Sequence, residues 1–149
     1  MNNNYTAHKN LVIEEVRKLN FPLGSYVVVG SGVLAVHGIR FARDLDIVVT
    51  PELYKKCERE GWEKQWHNTG QRYVLHNKSG KLEVEVYLDV NCESYQPTTQ
   101  ELIERAQIIE GVPFISLKDL LLFKKGYGRP KDKPDIKLIE EALTMVEAK

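Results

Sequence analysis

The sequence predicts an α+β domain built on a mixed β-sheet, with helices packed on one face and a helix at each end of the chain. Three observations carry this. Segments with helical spacing open and close the sequence, whereas the short β-branched runs cluster in its middle. One pair of strand-like runs is joined by a turn sequence that makes a hairpin, and others are separated by helical stretches, so antiparallel and crossover connections coexist. The length of 149 residues fits one domain, expected to cover residues 1–149.

The elements follow in order. Leu11, Val12, Glu15, Val16 and Leu19 recur at helical spacing until Asn20-Phe21-Pro22, where proline ends the helix. Tyr26 to Val29 reads as a short buried strand running into Gly30-Ser31-Gly32, and Val33 to Gly38 as a short helix closed by glycine. Leu45 to Val49 is a second strand. Thr50-Pro51 opens a helix, with threonine as cap and proline in its first turn. Arg72 to His76 and Leu82 to Val90 are two strands joined through Asn77-Lys-Ser-Gly80. Thr98-x-x-Glu101 has the capping-box pattern for a helix to about Ala106. Ser116 caps a helix through Lys125, and Ile136 to Met145 forms the last one. Trp62 and Trp66 are read as core-filling side chains.

Composition narrows the function classes. With 42% hydrophobic and 28% charged residues the chain is an ordinary globular one. Twenty-one basic residues balance 21 acidic ones, which gives no general reason to expect a nucleic-acid or membrane surface. The polar N-terminus, the short apolar runs and two widely spaced cysteines, Cys57 and Cys92, point to a cytoplasmic protein with reduced thiols and no membrane segment. His8, His67 and His76 have no partner at metal spacing in the sequence, so no zinc site is expected.

The chemistry-bearing residues fall in three places. Gly30-Ser31-Gly32 lies between a strand and a helix, where backbone N–H groups can face an anion. No G-x-G-x-x-G and no P-loop lysine accompanies it. Asp44 and Asp46 stand two apart at the start of the second strand and therefore share a face. Two adjacent carboxylates repel unless a cation joins them, and hard oxygen ligands suit Mg²⁺. The pair precedes the apolar strand, the reverse of its order in haloacid-dehalogenase-like phosphatases. Lys81 to Asp89 alternates strictly: Leu82, Val84, Val86 and Leu88 face one way, Glu83, Glu85, Tyr87 and Asp89 the other. That second face can supply a third carboxylate.

In this order and spacing the motifs resemble the nucleotidyltransferase superfamily, the polymerase-beta-like fold. Gly30-Ser31, then Asp44-Leu-Asp46, then a carboxylate on a later strand is that family's pattern. His37-Gly-Ile-Arg40-Phe-Ala-Arg-Asp-Leu-Asp46 looks like the G-x-R-x-T-x-D-I-D run of the bacterial branch that includes the AbiEii-type toxins, with Ala42 in place of the threonine. Lys124 to Ile136 is similar to the same branch's K-x-x-x-x-R-x-K-D-x-x-D-I segment.

The resemblance implies a nucleotidyltransferase-like sheet and a magnesium site at Asp44, Asp46 and Glu85. Glu85 is preferred to Asp89 because it sits mid-strand between valines. It further implies nucleotide contacts from Gly30, Ser31, Arg40, Lys124 and Arg129. The expected partner is a nucleoside triphosphate, whose nucleoside monophosphate passes to an acceptor hydroxyl on a small molecule, a protein or an RNA. A catalytically inactive nucleotide- or partner-binding relative is the alternative, and a D-x-D glycosyltransferase a third. Neither the acceptor nor the oligomeric state is legible in the sequence.

Overall fold

The computed structural model describes residues 3–68 and 70–147; the extreme ends of the expected 1–149 domain lie outside them. Helix α1 (Asn3–Lys18) leads into β1 (Tyr26–Val29), α2 (Ser31–Val36), β2 (Asp44–Val49) and α3 (Pro51–Arg59). Three strands follow: β3 (Glu63–His67), β4 (Arg72–Asn77) and β5 (Glu83–Tyr87). Then come α4 (Thr99–Glu104), a β6–β7 hairpin (Gln107–Ile109 and Val112–Phe114), α5 (Leu117–Tyr127), a 3-10 turn (Pro130–Asp132) and α6 (Lys133–Glu147).

The strands form one seven-stranded sheet in the order β3-β4-β5-β2-β1-β7-β6. It is mixed, as expected. Strands β2 and β5 pair in parallel, as do β1 and β7, and every other neighbouring pair is antiparallel. Local chemistry explains the boundaries that the sequence places well. Thr50 accepts a hydrogen bond from the Leu53 N–H with Pro51 in the first turn, and Thr98 and Glu101 close a complete capping box. Asn20 ends α1 in the left-handed region at φ 56°, and Gly128 caps α5 at φ 62°.

The structure corrects four expectations. Helices border both faces of the sheet, not one. A Cβ built on Gly32 of α2 would meet Val28, Leu45 and Val12 of α1, so α1 and α2 cover the face carrying Val28 and Leu45. Phe123 and Lys124 of α5 and Leu138 of α6 line a cavity with Asp44, Asp46 and Glu85 on the opposite face. Strand β3 and the β6–β7 hairpin are additional elements. Trp66 is 52% exposed on edge strand β3, whereas Trp62 packs against the core beside Phe21. Strand β5 ends at Tyr87, so Leu88 leaves the buried face and is exposed.

The core is continuous. Val28, Leu45, Ile47, Leu75 and Val86 from the central strands are fully buried with Val12 and Val16 of α1 and Leu34 of α2. Each such side chain contributes about 1.5–3 kcal/mol on burial, which fixes the central strands and so the row of polar side chains on the other face.

Candidate metal centre

The register of the central strands builds the site. Val29 of β1 lies opposite Asp46 of β2, Asp46 opposite Glu85 of β5, and Glu85 opposite His76 of β4. Directly paired residues point to the same side, so Asp46, Glu85 and His76 form one row across the sheet. Asp44 lies one step along, opposite Glu83. Asp44, Asp46 and Glu85 thus converge, each offering an oxygen within 4.8 Å of the others.

The pressure among these groups is evident in their proton affinities. Burial, followed by the charges of Asp44 and Glu85, pushes the Asp46 carboxyl well above the usual carboxylate range; Lys124 opposes this only in part. Asp44 is raised by burial and then by Glu85 and Glu83, against the weaker pull of Lys131 and Arg40. Asp46 Oδ1 is buried with no hydrogen-bond partner among the described residues. A carboxylate oxygen so placed is costly unless protonated or bound to a cation. Glu85 is oriented by Tyr87, whose hydroxyl donates to Oε2 at 2.5 Å. Burial and then the Asp46 and Glu85 charges drive the Tyr87 phenol far above its ordinary pKa, so it stays a donor.

Gly30 closes the site from the side of β1. It holds φ at 68°, and a Cβ there would stand 2.6 Å from Asp46 Oδ2. Only glycine fits, because a side chain would displace the carboxylate. Ser31 is buried and its hydroxyl donates to the Asp44 carbonyl at 3.3 Å, fixing the start of β2.

These groups open onto a cavity of about 620 Å³, within the range of small-molecule sites. Its far wall holds a second charge cluster. Lys124 Nζ lies 3.1 Å from both Asp132 and Asp135, Arg129 pairs with Asp132 at 2.7 Å, and Arg40 with Asp135 at 2.8 Å. The cations expected at the nucleotide therefore do line the cavity, but each is already engaged by an aspartate. Asp132 and Asp135 are the partners that sequence reasoning did not assign, although both stand in the K-x-x-x-x-R-x-K-D-x-x-D segment. Exposed Arg43 and Lys131 also line the cavity and have no ion-pair partner among the described residues.

Asp89 stands apart from the triad, bound to Arg72 at the end of β5. The histidines depart further from expectation. His67 and His76 bring their Nε2 atoms within 3.1 Å of each other, because β3, absent from the sequence reading, lies beside β4. His8 instead accepts from the Ala42 N–H at 2.8 Å and stacks on Phe41. Both cysteines are free thiols, with burial pushing Cys57 up to about 11.

No family model and no curated protein matches this chain. Among the described residues no helix is long and apolar enough to cross a membrane.

Proposed function

We propose that the protein is a magnesium-dependent nucleotidyltransferase, moving a nucleoside monophosphate from a nucleoside triphosphate to an acceptor hydroxyl. The observation that carries this reading is the convergence of Asp44, Asp46 and Glu85 around a buried, unpartnered carboxylate oxygen. Three like-charged groups held together by a rigid sheet fit hard divalent cations, which take carboxylates together with substrate phosphates. Bound Mg²⁺ would neutralise the triphosphate and increase the acidity of the acceptor hydroxyl.

The chain's own residues do the rest. Glycine at position 30 lets the backbone pack directly against the Asp46 carboxylate and so holds that ligand in place. Arg43 and Lys131, exposed in the cavity lining and without an ion-pair partner among the described residues, are cations available to meet the triphosphate. Lys124, Arg129 and Arg40 hold the opposite wall in shape through Asp132 and Asp135. The acceptor oxygen bonds to the α-phosphorus while the bond to the leaving pyrophosphate breaks, and a carboxylate of the cluster takes the proton. Positioning and charge supply the rate.

Calorimetry with non-hydrolysable analogues of each nucleoside triphosphate tests the step common to every acceptor. At least one analogue should bind in the presence of Mg²⁺ and not in its absence. Binding by none of them, in a folded protein with Mg²⁺, would overturn the reading. Tight binding with no turnover of the natural nucleotide on any acceptor would favour the inactive relative instead.

A further inference from the structure

We propose that His67, His76 and Glu85 form a second cation site, beside the carboxylate triad, selective for a borderline first-row divalent ion such as Zn²⁺. The proposal goes beyond the nucleotidyltransferase reading and does not depend on it.

The site is prepared by hydrogen bonding. His76 is 6% exposed, and its Nδ1 lies 2.9 Å from Glu83 Oε1. A carboxylate accepts only, so Nδ1 carries the hydrogen and the Nε2 lone pair is left pointing out of the ring. A carboxylate behind a ligating imidazole is the usual outer support of a metal-binding histidine. The outward Nε2 faces His67 Nε2 at 3.1 Å. Two nitrogens bound to one tetrahedral ion at ~2.0–2.1 Å stand about 3.3 Å apart, close to this spacing.

The backbone explains why the rings meet. His67 is opposite Arg72 and His76 is opposite Glu63, so the two histidines are offset along the strands and their side chains reach toward each other. Val74, between those registers on the same face, is fully buried. Glu85 completes the set, since it pairs with His76 across β4 and β5, and one ligand atom from each of the three residues lies within 4.8 Å of the others.

Ligand chemistry sorts the two sites. Two imidazoles and one carboxylate suit Zn²⁺ and its neighbours, with a fourth position open, whereas Mg²⁺ prefers oxygen alone. In the absence of an ion, the 3.1 Å contact is a hydrogen bond from His67 Nε2–H to His76. Binding needs only transfer of that hydrogen to Nδ1 of His67, a half-buried residue.

Titration of the metal-free protein with Co²⁺, followed by visible absorption, tests the proposal without nucleotide. One Co²⁺ should bind with the intensified spectrum of a low-coordinate nitrogen-containing site, and Zn²⁺ should displace it. His67→Gln and His76→Gln should each weaken binding at least tenfold, and Glu83→Gln by roughly 10–100-fold. Asp44→Asn combined with Asp46→Asn should leave the spectrum in place. His67 lies on edge strand β3, so His67→Gln carries the test if His76→Gln fails to fold. A parent protein with no Co²⁺ spectrum, or one retained in folded His67→Gln, would overturn the site. A spectrum lost only in the double aspartate variant would assign the ion to the carboxylate triad and equally overturn it.

Discussion

Two groups of carboxylates line the cavity, and their surroundings differ. On the helical wall, Asp132 and Asp135 are 2% and 6% exposed, and Lys124, Arg129 and Arg40 meet them at 2.7–3.1 Å. Arg129 and Lys124 together hold the Asp132 carboxyl below its ordinary range in spite of burial. On the sheet wall, Asp44, Asp46 and Glu85 have no lysine or arginine ion pair among the described residues, and burial, followed by their mutual repulsion, raises Asp44 and Asp46. Charge compensated from within holds the wall together; charge left uncompensated is a site for a cation from outside.

Breaking the compensated side should produce the largest change in stability. Lys124→Ala removes the buried ammonium shared by Asp132 and Asp135 and leaves each with a single arginine; loss of one partner of a buried pair costs about 3–5 kcal/mol. Chemical denaturation should show that loss, with Lys124→Arg recovering part of it. Gly30→Ala should come next. Its positive φ costs a non-glycine residue ~1–2 kcal/mol, and the methyl meets Asp46 Oδ2, so stability and Mg²⁺–triphosphate binding should fall together.

The uncompensated side should behave in the opposite sense. Asp46→Asn removes one repelling charge and should raise the thermal midpoint of the metal-free protein. The pH dependence follows from the raised pKa of Asp46. A carboxyl whose pKa rises on folding lends stability below its unfolded value of about 3.9, and that stability is lost as pH rises through the folded value. Relative to the parent, the asparagine variant should therefore gain most at neutral pH, with the gap closing toward acid. A gap that widened in acid would show that Asp46 has its proton affinity lowered in the fold.

The smallest effect sharpens the boundary between the two sides. Asp89 already has an arginine partner, so Asp89→Asn should leave nucleotide binding and turnover near parental levels, while Glu85→Gln abolishes turnover. The reverse order would contradict the β2–β5 register.

The sequence made the sheet wall legible and concealed the helical wall, for physical reasons. A strand's period of two is local, so the Asp44–Asp46 face and the alternation through Glu85 could be read directly, and Glu85 falls opposite Asp46. Side-chain caps are local too, which is why Thr50, Thr98 and Ser116 mark their helices correctly. Strand β3 has one large apolar residue in Glu63-Lys-Gln-Trp-His67 and takes its shape from pairing with β4. The His67–His76 contact was hidden with it. Strands β6 and β7 are three residues each around Glu110-Gly111, both at positive φ, and a hairpin that short leaves little periodicity. The aspartate partners of Arg40 and Lys124 depend on α5, the 3-10 turn and α6 folding against the loop before β2, and no spacing encodes that, whereas the Arg129–Asp132 pair is only three residues apart. For the same reason, nothing local showed that helices would cover both faces.

Among the described residues no lysine or arginine forms an ion pair with the sheet-wall carboxylates, which leaves a divalent ion to join them. Thermal denaturation at neutral pH with increasing Mg²⁺, on the parent and on Asp46→Asn, tests it most directly. The parent midpoint should climb with Mg²⁺, and the Asp46→Asn midpoint should start higher and stay flat. Equal Mg²⁺-dependent rises in both proteins, or none in the parent, would contradict it.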